Sequence, residues 1–499
     1  MYQYAVLLFE FMIILFLYIL SYSYTMTYQF SFYGILLLSY LFTQLSFSFL
    51  NHRENLKNQS LSKQILSSEI ISNQIATDEM VSTQILSNGS YCNSLFYKCV
   101  LLIVGRQEKK EYWKNCLLSV KELVCNRQLI HICIIIDGDK QEDIYMKEMA
   151  NEILNLNEFS IETNIFMIPQ RGKRGAMFFG LQQIHRIFHF DNKFIDVIVT
   201  DSDTIISPFA PTHLQTCLRS DPKNGCVTGT LDIFNIKDGI LPKMINARYH
   251  YAFQIERAAG SYMGCMTCCS GPISIYRFDL LNELLLQKFI TQSFLKVPCE
   301  PGDDRHLTNL ILCLGYSAKQ TNLAIAGTEA PNDLFRFLKQ QLRWSRSFYR
   351  EMYWQLKSIP KQSHYLCIIS LYEFLFPFLV SIWIFFSLYY NFSFSLLLKN
   401  GYLSIGILLI RTLLLYIYTL RLNMFYNIIY YPIYLIFLLP TKLFALFTLL
   451  NNQWETQSRN QLLIQCINYC SFHFIFIYLW NISLIFPILY HLFIFFNNK

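Results

Sequence analysis

Charge is scarce toward both ends of this chain. Asp, Glu, Lys and Arg make up only 15% of its 499 residues, and very few fall within 5–22, 29–50, 364–390, 402–421, 424–449 or 470–496. Each of these apolar runs is long enough to cross ~30 Å of hydrocarbon, which takes about 20 helical residues. A channel or transporter would place ionisable residues along such spans, so their shortage argues against that class. A cleaved leader is not expected either. Residues 1–23 have no basic start and no small-residue cleavage site, and a second apolar run follows directly. Paired Cys-x-x-Cys spacing of the zinc-binding kind is also missing among the fifteen cysteines, apart from a lone "CMTCC". Reduced thiols in a cytosolic domain are therefore expected.

What is present lies between the spans. Two helices (1–50), a polar linker (51–97), an α/β block (98–330), an amphipathic interfacial segment (331–362) and C-terminal membrane helices (363–499) are the expected organisation. Lys and Arg concentrate in the middle, which predicts a cytosolic block, with 391–400 and its Asn391-Phe-Ser sequon outside. The net charge of +7 suits an anionic nucleotide or an inner membrane leaflet and does not choose between them. The linker repeats "SKQILSSEII", "SNQIATDEMV" and "STQILSNGS" put Gln64, Gln74 and Gln84 ten residues apart. Ten does not close on a 3.6-residue period, so no continuous amphipathic face results.

From residue 98, "YKCVLLIVG", "HICIIIDGD", "TNIFMIP" and "FIDVIVTDSD" alternate with helical patterns. That alternation predicts a mostly parallel sheet with its ligand at the carboxyl ends of the strands. Two such ends are acidic: Asp137, and the pair Asp201 and Asp203. Alone, the pair is more often a capping turn than a cation site. Its company is "GDDRHLTN" (302–309) and "QQLRW" (340–344), in that order, ahead of the membrane helices.

An acidic strand end, a DxD, a DD and a QxxRW in this order resemble the processive branch of the family 2 inverting glycosyltransferases. "GKRGAM", "CMTCCSGPISIYR", "LGYSAKQT" and "PTKLFALFTLLNNQWETQSR" are similar to hyaluronan synthase segments. The resemblance implies a GT-A-type α/β domain fused to about six membrane helices, in the plasma membrane. It implies a processive enzyme that joins UDP-GlcNAc and UDP-GlcA with Mg²⁺ or Mn²⁺ and exports the growing polysaccharide, with no nucleic acid partner. Leu342, Arg346, "PISIYR" and Glu455 depart from the usual hyaluronan forms, which keeps a chitin-type polymer from UDP-GlcNAc alone as the alternative.

The resemblance also implies roles. Asp203 would hold the metal; Asp201, Asp137, Lys173, Arg174, Gln340 and Arg343 would bind the UDP-sugar; Asp304 would be the base; Cys268 and Trp344 would meet the acceptor. Asp303 is left as the helix-capping acid, with Arg305 pairing locally. For the glucuronate carboxylate, Arg257, Arg277 and Arg305 are the basic residues in suitable segments.

Overall fold

The computed structural model describes residues 40–60, 98–125, 129–154, 161–188, 195–390, 405–451 apart from 407, 414 and 418, and 463–497. The first expected span, the ten-residue repeats, the sequon at Asn391 and the position of Glu455 lie outside these. A helix over 40–60 (α1) runs on past position 50. Its Asn51 is buried, accepts a hydrogen bond from Ser261 Oγ at 2.8 Å and donates to the Gln320 side chain at 3.4 Å. The start of the expected linker is thus helical and docked on the α/β block.

That block contains β1 (Lys98–Gly105), α2 (Lys110–Cys125), β2 (Leu129–Asp137), α3 (Ile144–Ile153), β3 (Glu162–Ile168), α4 (Gly172–Ile187), β4 (Ile195–Asp201), β5 (Ile205–Ile206) and α5 (Ala210–Arg219). It continues through β6 (Asn224–Ile233), α6 (Ile240–Tyr251), α7 (Ala258–Tyr262), β7 (Ser274–Arg277), α8 (Glu283–Ile290), a β8–β9 hairpin (Ser293–Phe294, Val297–Pro298), α9 (Asp303–Leu314) and β10 (Ser317–Thr328). Eight strands make one mixed sheet in the order β3-β2-β1-β4-β7-β6-β10-β5. β1 shows why its residues form a central strand. Successive side chains of a strand point to opposite faces, and both faces here are covered. Leu101 and Ile103 pack with Trp113, Leu117 and Val120 of α2. Val100, Leu102 and Val104 pack with Met177, Leu181 and Ile184 of α4.

The sheet order also places the site. β1 pairs with β2 on one side and with β4 on the other, both parallel, with Gly105 opposite Ile136 and Val104 opposite Asp201. The chain reverses its winding direction here, and the crevice at such a switch point is where open α/β sheets bind ligands. Asp137 and Asp201 flank it, two strands apart, which is roughly 10 Å.

Helix α10 (Leu334–Ser358) carries the QxxRW segment. An amphipathic helix with one side resting in the membrane interface was expected. Phe335, Tyr353 and Leu356 on it are exposed, while polar residues are buried on both flanks: Arg346 Nε donates to Thr448 Oγ1 at 2.9 Å, and Arg350 donates to the carbonyls of Leu449 and Pro301. The helix is held between the α/β block and the membrane helices. Among the described residues, His364–Phe385, Leu422–Phe447 and Phe472–Ile494 are long and apolar enough to cross a membrane, and Leu408–Ile417 is a shorter apolar helix.

Candidate active site

The strand-end acids, the GKR loop, the start of α9 and the middle of α10 line one cavity of about 1720 Å³. That exceeds the ~300–1,000 Å³ of an ordinary small-molecule pocket, so a nucleotide sugar and an acceptor both have room.

Asp137 closes β2 and is buried; its Oδ1 accepts from the Arg171 backbone N–H at 2.7 Å. Burial raises its carboxyl pKa, opposed by that hydrogen bond. Two residues on, Lys173 Nζ lies 2.6 Å from Asp201 Oδ1 and 3.5 Å from Asp303 Oδ2. Burial lowers the pKa of this amine, but Asp201 and Asp303 outweigh burial and raise it, so it stays cationic. Gly271 makes the close pairing possible. A Cβ there would lie 2.8 Å from Lys173 Nζ and 3.1 Å from Asp201 Oδ2. One lysine therefore ties the DSD turn to the GDD turn, two motifs separated by about a hundred residues.

The second acid of the DSD turn behaves differently. Asp203 is pushed up to about 7, first by burial and then by the neighbouring charges of Asp201 and Glu108. Glu108 was not singled out in the sequence, although it lies three residues past the end of β1, where the rule that selected Asp137 and Asp201 also applies. It accepts a hydrogen bond from Ser202 Oγ at 3.2 Å and lines the cavity.

At the start of α9 the expected division of labour needs correction. Asp303 does not cap the helix. The cap position is Gly302, at φ +98°, and both acids occupy the first turn, where the helix dipole favours negative charge. Asp303 is buried against Lys173. Arg305 pairs locally through its backbone N–H, which donates to Asp304 Oδ1 at 2.7 Å, while its side chain reaches further: Nη1 donates to Thr267 Oγ1 at 3.3 Å, and the guanidinium stacks 5.4 Å from the centre of the Phe348 ring. Burial and Asp303 together raise the Asp304 pKa. Cys268 Sγ lies 3.5 Å from Asp304 Oδ2, and its thiol is pushed up to about 12 by burial and by Asp304, so it stays protonated.

Gly302 admits a direct test. An added Cβ would overlap the Ser347 hydroxyl, and the left-handed backbone already disfavours a side chain. Gly302→Ala should cost about 1–2 kcal/mol from backbone strain alone, read as a lowered melting temperature of the detergent-solubilised protein.

Helix α10 supplies the other wall. Gln340, Arg343 and Trp344 face the cavity. Gln340 Oε1 is buried without a hydrogen-bond partner, an acceptor that a ligand hydroxyl or amide would satisfy. Arg343 has its pKa lowered by burial, against the pull of Asp303, Asp304 and Asp201. Trp344 is 39% exposed, with its ring 6.4 Å from that of Tyr249. Arg174 is the expected site residue that the fold turns away. It is outside the cavity lining, buried, donating from Nη1 to the Phe289 carbonyl at 2.9 Å and stacked on the Phe289 ring. Adjacent helix residues point about 100° apart, and here that rotation carries Arg174 to Phe289 while Lys173 enters the crevice.

Residues 100–347 match the model described as "Glycosyltransferase like family 2". Hyaluronan synthase 3 of Mus musculus is 30% identical over 409 residues, covering 76% of this chain and 72% of that protein. Hyaluronan synthase 2 of Gallus gallus is 29% identical over 476 residues, covering 88% of this chain and 79% of that protein. Among solved structures, a mannosyltransferase from Pyrobaculum calidifontis in complex with GDP-Man and Mn²⁺ aligns with 83% of this chain at TM-score 0.46 and 13% identity.

Proposed function

The chain belongs to the hyaluronan synthase family, and from that premise we propose a cytosol-facing site in the plasma membrane that alternates UDP-GlcNAc and UDP-GlcA and feeds the polymer into the helices of 363–499. The enzyme is a membrane hexosyltransferase that polymerises hyaluronan, and its relatives do not favour the chitin-type alternative. One observation carries the coupling of synthesis to export. The cavity lined by Asp201, Asp203 and Asp304 is lined also by Phe376, Trp383 and Tyr434 of the membrane helices.

The donor set fits a hard divalent cation. Asp201 and Asp203 offer carboxylate oxygens from one turn, and the pKa of Asp203, raised first by burial and then by Asp201 and Glu108 despite Lys173, marks a place where added positive charge would be favourable. Among the described residues no three His, Cys, Asp or Glu side chains are gathered as a metal cage, so an ion held by Asp203 would depend on the substrate's diphosphate for further oxygen ligands. We assign Asp203 as the protein ligand for Mg²⁺ or Mn²⁺, which would neutralise the charge that grows on the leaving diphosphate.

This chain's own residues do the rest. Asp137 receives the uracil edge. Lys173 holds Asp201 in place and adds positive charge beside the phosphates, and Arg343 offers its planar fork to the same oxygens. Gln340 satisfies a donor hydroxyl. Trp344 gives the terminal acceptor sugar a flat face, with Cys268 lining the acceptor side. Asp304 takes the proton of the attacking hydroxyl as the bond forms. A carboxylate of raised pKa is the stronger base, and inversion needs that base opposite the leaving group.

Purified membranes given UDP-GlcNAc alone, UDP-GlcA alone, or both with a divalent ion test the product. Long polymer should form only with both donors and should be digested by hyaluronidase. A chitinase-sensitive product from UDP-GlcNAc alone would overturn the reading.

A further inference from the structure

An alternating polymerase must hold chain ends that carry a carboxylate and chain ends that do not, at one acceptor position. Of the three arginines in suitable segments, the fold removes Arg277. It pairs with Asp279 at 2.6 Å, donates to the Pro222 carbonyl at 2.7 Å and lies outside the cavity. Arg305 lines the cavity but is engaged by Thr267. Arg257 also lines the cavity, and its Nη1 is buried with no hydrogen-bond partner.

The local backbone explains how it gets there. Between α6 and α7 the helix takes a π-helical turn, Ala252–Arg257. A wider turn of this kind re-aims the side chains that follow and often marks a functional position. Here it brings Phe253, Glu256 and Arg257 all to the cavity wall. The guanidinium is braced 4.3 Å above the Phe253 ring. Its sequence neighbour Glu256 does not neutralise it, because Glu256 is drawn to Arg248 at 2.8 Å and Arg411 at 3.9 Å. Arg257 is near enough to act electrostatically on the Cys268 thiol and the Tyr249 hydroxyl. Cys268 is the thiol 3.5 Å from Asp304 Oδ2, and the Tyr249 ring lies 6.4 Å from that of Trp344, so Arg257 is in reach of the residues assigned to the acceptor.

We propose that Arg257 is the subsite for the glucuronate carboxylate of the acceptor end, gripped through its unpartnered Nη1, with Arg305 as the second cation. This rests on the hyaluronan reading above. A neutral GlcNAc end is held by Trp344 and needs no such contact, so the two kinds of chain end respond differently to loss of the charge.

The test uses full-length enzyme in membranes carrying its own nascent chains. Chasing with UDP-GlcA alone leaves every chain ending in GlcA; chasing with UDP-GlcNAc alone leaves every chain ending in GlcNAc. After washing, one labelled sugar is added from the complementary donor, over a range of donor concentrations, and chain release is measured in parallel. For Arg257→Gln, addition to GlcA ends should fall roughly ten- to hundredfold relative to addition to GlcNAc ends, as expected for a lost charged hydrogen bond, with faster release of GlcA-ended chains. Arg257→Lys, which keeps the charge, should recover most of that ratio and carries the test if the Gln variant makes no chain. Equal slowing at both ends, or a change confined to the half-saturating UDP-GlcA concentration, would overturn the proposal. If the wild-type enzyme instead made polymer without UDP-GlcA, the product reading itself would fall.

Discussion

Asp304→Asn should bind UDP-sugar nearly as well as the parent enzyme and lose transfer by about 10²–10⁴-fold, the usual size of a general-base contribution. The substitution keeps the shape of the side chain at the start of α9 and removes only the proton acceptor. The Asp304 pKa is raised by burial and by Asp303, and the base must be ionised to act. Wild-type turnover should therefore rise with pH through that raised value, and the Asn variant should lack this limb. Donor binding measured alongside initial rates across pH separates the roles. An equal loss of affinity and rate would make Asp304 structural.

Asp203→Asn should abolish polymer synthesis at ordinary metal concentrations while leaving membrane insertion intact, because the diphosphate loses its neutralising ion when it most needs one. The pH dependence has a definite sign. Asp203 is raised from 3.8 to about 7, so between those values the metal-free folded protein binds more protons than the unfolded chain. Its stability therefore falls as pH rises across that window. A bound divalent ion must displace the remaining proton, so the half-saturating metal concentration should climb as pH drops below about 7. Titrating activity with Mn²⁺ at several pH values checks this. Metal-dependent turnover by Asp203→Asn close to that of the parent enzyme would reject the assignment.

Much of this site was legible before the fold was known, for a physical reason. A parallel strand buried on both faces is written as a nearly continuous apolar run, so Asp137, Asp201 and Asp203 stand out at its carboxyl end, while Asp196 inside β4 is buried only because Arg219 pairs with it. The spans were legible for the converse reason, since hydrocarbon tolerates little charge along a helix. Glu108 stayed hidden because "GRQEKKE" is charged throughout, and nothing local distinguishes the acid that turns inward.

By itself, then, the sequence determined the alternation of strands and helices, the acidic ends of β2 and β4, the order of the motifs and the apolar helices, all of which depend on periods and solvation a few residues long. Only the tertiary structure decided which charges face one another. It turned Lys173 toward the crevice and Arg174 away, moved Asp303 from a cap to a partner of Lys173, withdrew Arg277 and left Arg257 on the cavity wall. It also joined the cavity of the acids to the membrane helices. Those choices depend on helix rotation, a π-helical turn and contacts between segments a hundred or more residues apart, where a local pattern carries no information.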